Sequence, residues 1–132
     1  MAPRYFTVGE ANAAVDELRP VVERMVDHRR RLVAARGARG TLTEQAGSNG
    51  GDLTPTDFAD AEGEVELQAT ALAACVEEIQ AAGALVKDLD EGLLDFPSLR
   101  DGEEVLLCWR LGEGEIEYFH GTDEGFAGRK PL

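Results

Sequence analysis

Cysteine is scarce: the chain has two, Cys75 and Cys108. A pair so far apart supplies neither a disulfide framework nor the close CxxC spacing of a structural metal site, and a reduced, cytoplasmic setting is expected. Long apolar runs are missing. None approaches the roughly 20 residues of a membrane span, and "MAPRYFTVGEANAAVDELRP" has no unbroken apolar stretch of the secretory type. Positive charge is in short supply, with 13 Lys and Arg against 26 Asp and Glu and a net charge of −13. So acidic a surface repels phosphate backbones and anionic headgroups, so neither nucleic acid nor a membrane is an expected partner. Histidine is limited to His28 and His120. Without a G-x-S-x-G elbow or a G-x-x-x-x-G-K-[ST] loop, nucleophilic and P-loop chemistry have no support.

What the chain does have is periodicity. Its 132 residues suit a single domain with one modest core. Thr7 and Glu10 have the T-x-x-E form of a capping box, which predicts a helix from about Val8. Ala11, Val15, Leu18, Val22, Met25 and Leu32 then recur at three- and four-residue steps, an apolar helical seam. Pro20 lies inside it and predicts a kink. Gly37, after Arg30, Arg31 and Arg36, reads as a cap. From 38 to 53 the periodicity vanishes into Gly, Ser and Asn, which predicts a flexible loop.

Thr54, Pro55 and Asp57 read as an N-cap, a proline at the first helical position and a first-turn acid. Phe58, Ala61, Val65, Leu72, Cys75, Ile79 and Ala82 continue at helical spacing, with Gln68 as the one polar member. Gly83 ends that helix. Two amphipathic helices joined by a loop predict an antiparallel hairpin over 7–83. Basic residues crowd Arg24 to Arg39 and acidic ones crowd Asp57 to Glu66, so the two stretches are expected side by side.

After residue 84 the pattern changes to short apolar runs separated by "LDEG", "RDG" and "GEGE", the mark of an antiparallel meander. The expected fold is α+β: one domain over 1–132, a helical hairpin packed on a small sheet of three to four strands and a closing tail over 84–132. A tight last turn at Gly112 to Glu115 would pair Leu111 with Ile116, Arg110 with Glu117, Trp109 with Tyr118 and Leu107 with His120.

The K-D-x-D-x-G-L-x-D-F-P run from Lys87 to Pro97 and the L-C-W-R-L run from Leu107 to Leu111 are distinctive. So are the terminal H-G-x-D-E-G-F-A-G-R and the Y-F-T-x-x-E-A-N segment from Tyr5 to Asn12. Through them the chain resembles the uncharacterised bacterial family known as domain of unknown function 2203, over nearly its whole length apart from the loop. The resemblance implies a bacterial single-domain protein and no particular activity.

Two clusters have chemistry to offer. His120 with Asp123 and Glu124, joined by Asp88, Asp90 or Asp95 from the first β-turn, is a candidate set for a divalent metal. Arg129 and Lys130, following the glycines at 125 and 128 and grouped with Trp109 and Tyr118, are candidates for a small anion. The plainer alternative is structural. His120 would be a half-buried imidazole bonded to a carboxylate, and the tail an arm that lays Phe126 on the sheet. Cys75 reads as a core thiol, and the expected register places no base beside Cys108. No cofactor is expected, a divalent metal being the alternative. A hairpin on one small sheet leaves apolar helix surface uncovered, and Ala14, Val21, Val26 and Val33 widen the first helix beyond its seam. The expected function is therefore a non-enzymatic, self-associating or protein-interaction module, with a homodimer built on the helices.

Overall fold

The computed structural model describes residues 4–49 and 53–132. Its first helix, α1, runs from Val8 to Asn49. Thr7 and Glu10 start it reciprocally: the Glu10 amide donates to Thr7 Oγ1 at 3.1 Å, and the Thr7 amide donates to Glu10 Oε1 at 3.0 Å. The six seam residues named above are all buried. The helix runs through Pro20 without a break.

The flexible loop expected over 38–53 is corrected. Gly37 does not cap α1, and residues 38–49 are helical; residues 50–52 lie outside the described set. Tertiary contact outweighs the weak propensity of glycine here. Arg39 reaches across to Glu62 at 3.2 Å, and Thr41 and Thr43 turn their hydroxyls back to the carbonyls of Gly37 and Arg39. Leu32 and Ala35 stay buried along the same flank.

Helix α2, Pro55–Ala81, opens with a full capping box between Thr54 and Asp57, with Pro55 as its first residue. It lies antiparallel to α1, with Arg24–Glu78 at one end and Arg39–Glu62 towards the other. Gln68 is buried among the apolar positions, and its carboxamide is satisfied by His28 at 2.7 Å and Glu64 at 2.9 Å. Gly83, at φ +99°, turns the chain out of α2.

Five strands follow in spatial order identical to chain order: β1 (Leu85–Asp88), β2 (Leu93–Arg100), β3 (Glu103–Arg110), β4 (Tyr118–Gly121) and β5 (Lys130–Pro131). Every pairing is antiparallel, so the sheet is a meander. Leu94, Phe96, Leu107 and Trp109 face the helices and belong to the same core as Val15, Val22, Met25, Leu72 and Ile79. The β1–β2 turn presses Gly92 against Val22, Val26 and Leu111. A Cβ there would lie 2.8 Å from Val22 Cγ1.

The expected β3–β4 register is also corrected. Cys108 pairs with Tyr118, Leu107 with Phe119 and Leu106 with His120. The connection from Leu111 to Glu117 is not a tight hairpin, because it bonds elsewhere. Trp109 Nε1 donates to the Gly114 carbonyl at 3.0 Å, and the Ile116 amide donates to Asn12 Oδ1 on α1 at 2.8 Å. Ile116 is thereby drawn into the core. A one-residue change of register reverses every side chain's face. Trp109 and Tyr118 are consequently not a pair, and the expected Arg110–Glu117 ion pair does not form.

Candidate functional site

The corrected register gives the sheet a second, polar interior. Strand β3 reads "EEVLLCWR", apolar on both faces in its middle. Val105, Leu107 and Trp109 alternate with Leu106 and Cys108, and all five are buried. A strand apolar on both faces is covered on both faces. On the side away from the helices the tail passes close by: a 3₁₀ turn at Phe126–Gly128 carries Arg129 to Cys108, and β5 then pairs with β4 at the sheet edge.

Beneath that tail, Asp95 of β2 stands opposite Cys108 of β3, and His120 of β4 lies diagonally across from both. Asp95 is 1% exposed, Cys108 1% and His120 2%. His120 Nε2 lies 3.0 and 3.1 Å from the two carboxylate oxygens of Asp95. Its Nδ1 lies 2.8 Å from the carbonyl of Gly121. Both ring nitrogens thus face oxygen. A neutral imidazole has one N–H for two such partners, so a proton or another cation between Nε2 and the carboxylate is what makes the contact favourable. Burial pushes the Asp95 carboxyl above its usual range, and the facing imidazole opposes that shift. Burial, reinforced by the Asp95 carboxylate, pushes the Cys108 thiol up to about 11. Cys108 is therefore a protonated thiol at neutral pH, not a nucleophile in waiting.

A second layer surrounds this cluster. The Arg129 guanidinium lies 4.1 Å from the ring centres of both Tyr118 and Phe126. It also pairs with Glu113 through two contacts, at 3.0 and 3.2 Å. Its positive charge beside Cys108 draws that thiol partly back down. Glu113 is fixed in turn by accepting the Arg110 amide at 2.7 Å. Among the described residues, no buried side-chain nitrogen or oxygen lacks a partner.

The structure brings together some of the residues singled out from sequence and separates others. His120 meets Asp95, the one carboxylate of the first β-turn region that reaches it. Asp88 instead accepts the backbone amides of Asp90 and Glu91, and Asp90 holds Arg29 at 3.0 Å. Asp123 is exposed in the turn after β4. Glu124 accepts the Gly121 amide at 2.9 Å and pairs with Lys130 at 3.2 Å. Arg129 and Tyr118 stack, while Trp109 lies on the helix side of the sheet. Cys108 was missed as a member of the cluster, yet the unbroken "VLLCW" run carried the signal of a strand covered on both sides.

These features define a class: an α+β domain in which a long helical hairpin covers one face of a five-stranded antiparallel meander and a short tail closes a polar cluster on the other. The chain belongs to the family described as uncharacterized conserved protein (DUF2203), which matches residues 4–132. Neither the curated proteins nor the solved structures contain a match. Among the described residues, no helix is long and apolar enough to cross a membrane.

Proposed function

We propose that this domain is a non-enzymatic interaction module that pairs with a second copy of itself through the far half of its helical hairpin. The observation that supports this reading is the length of α1 relative to the sheet. Among the described residues, the sheet side reaches α1 as far as the β1–β2 turn, where Asp90 holds Arg29 and shares a groove with Val26, Arg30 and Val33. From about Ala34 to Asn49, roughly 24 Å at 1.5 Å per residue, α1 is matched by α2 alone. Two helices cannot cover all of each other's apolar positions. Val33 is 51% exposed, Leu67 60% and Phe58 37%. Val21, expected at a dimer surface, is buried within the chain and does not contribute.

Charge supports self-pairing of this arm. Arg30, Arg31 and Arg36 are exposed on α1, and Asp60, Glu64 and Glu66 on α2. Two arms laid antiparallel bring one copy's basic flank to the other's acidic flank. A chain of net charge −13 offers few other surfaces on which copies attract. Light scattering tests this directly. The expected result is a dimer mass that falls towards the monomer in high salt and in Val33→Glu/Leu67→Glu, with helix content unchanged. A monomer mass at high micromolar concentration and low salt would sink the reading.

A further inference from the structure

We propose that Asp95, Cys108 and His120 form a binding site for one divalent transition-metal ion of the zinc class, a proposal independent of the interaction reading. One carboxylate oxygen, one thiol sulfur and one imidazole nitrogen, from three neighbouring strands, all lie within 4.8 Å of one another. Tetrahedral bonds of about 2.0–2.3 Å place ligand atoms roughly 3.3–3.8 Å apart, so Nε2 and the Asp95 oxygen, now 3.0 Å apart, must part slightly, while the set as a whole already lies within 4.8 Å.

The orientation of His120 is the strongest observation. Its Nδ1 is engaged with the Gly121 carbonyl at 2.8 Å, the outer bond that metal-ligating histidines typically make. That bond fixes Nδ1 as the N–H and aims the Nε2 lone pair at both Asp95 oxygens. Two lone-pair-bearing groups meet at hydrogen-bond distance in a dry site, and only a cation makes that meeting favourable. A proton suffices; a metal ion, with the thiol as a third donor, occupies the same place.

Donor chemistry selects the ion. A mixed N, O, S set disfavours magnesium and calcium, which take oxygen, and suits zinc or cobalt. A divalent ion with one carboxylate and one thiolate leaves the buried cluster neutral, a condition burial enforces strongly. In the metal-free protein burial and the Asp95 carboxylate keep Cys108 protonated; a bound ion supplies the charge that deprotonates a coordinating thiol. Three protein ligands leave one tetrahedral position for water or another donor atom.

Cobalt is the probe, because cobalt bound to thiolate is coloured. Chelator-stripped protein is titrated with Co²⁺ in the folded state and, separately, during refolding. The expected result is one equivalent bound, with a sulfur-to-cobalt charge-transfer band in the near ultraviolet and intense four-coordinate bands in the visible. Zinc should bleach both, and magnesium should not. Cys108→Ser should abolish the charge-transfer band, and Cys75→Ser should leave it unchanged. His120→Gln or Asp95→Asn should weaken binding by at least about tenfold. Absence of the band in the wild-type chain under both regimes overturns the proposal, whatever the variants do. Persistence of the band in Cys108→Ser, or displacement by magnesium, overturns it too.

Discussion

Replacing His120 by alanine should destabilise the metal-free domain more than replacing the larger Phe126. By area alone the ranking is the reverse. Phe126 would lose about 1–3 kcal/mol if largely buried, and His120 about 1 kcal/mol for one hydrogen bond. The structure reverses these values. Phe126 is only half-buried, and its main partner is the Arg129 guanidinium at 4.1 Å. Truncation should then cost about 1 kcal/mol. His120 loses its contacts to Gly121 and Asp95 together, and leaves a carboxyl group that is 1% exposed. Removing one partner of a buried pair costs about 3–5 kcal/mol. Proton uptake by the stranded Asp95 limits the loss, so about 3 kcal/mol is the expected figure. Urea unfolding in the presence of chelator, followed by the fluorescence of the single, fully buried Trp109, measures both variants. A double-mutant cycle of His120→Ala with Asp95→Asn should show a coupling of about 1–3 kcal/mol. The reasoning fails if Phe126→Ala proves the costlier change, or if the two cycle members add within about 0.5 kcal/mol.

Gly40 is exposed within α1 and has open space where a Cβ would sit, so Gly40→Ala should stabilise by about 0.5–1 kcal/mol and Gly40→Pro should cost about 3 kcal/mol. Denaturation curves in which both are neutral would return this stretch to a loop. Gly92 combines φ +72° with the Val22 contact; Gly92→Ala should lower stability by about 1–3 kcal/mol, and an unchanged thermal midpoint would contradict that packing. The Thr7 amide and hydroxyl hold the Glu10 carboxyl below its ordinary range. Its contribution is therefore complete above the unfolded-chain value and is lost as pH falls through the lower folded value. The gap in thermal midpoint between wild type and Glu10→Gln should narrow from about pH 6 to about pH 3, and a gap that widens would refute the assignment.

Much of this architecture was legible in the sequence because it depends on local chemistry. Thr7–Glu10 and Thr54–Pro55–Asp57 mark both helix starts; the α1 seam is buried where its spacing placed it, and the α2 seam is buried from Val65 to Ile79 but not at Phe58, which is exposed. The misreadings arose where distant residues decide. Gly37 and Gly40 look like helix breakers until α2 lies alongside them. The β3–β4 register looks like a tight hairpin until Asn12, far away in the chain, takes the Ile116 amide. That single displacement hid the site as well. With Leu107 opposite His120 the imidazole would face the helices, whereas with Leu106 opposite it the imidazole reaches Asp95 and Cys108. No local pattern encodes that choice, although the two-sided apolar character of β3 pointed to it.

The meander has a consequence for the order of assembly. Each strand pairs with its immediate successor, so the sheet can zip from turn to turn with small loops to close, a topology that favours speed. The start of α1 is different. Ser98 holds the Phe6 carbonyl across a separation of 92 residues, and Asn12 holds Ile116 across 104. These two clasps are formed by elements that must already exist, a finished helix and a finished sheet. Docking of the N-terminal segment closes the longest of these loops and is therefore the step expected last. A chain that has completed its sheet but not this docking still exposes Phe96 and Trp109 to water, and that is the stage at which this acidic domain is most open to misassembly.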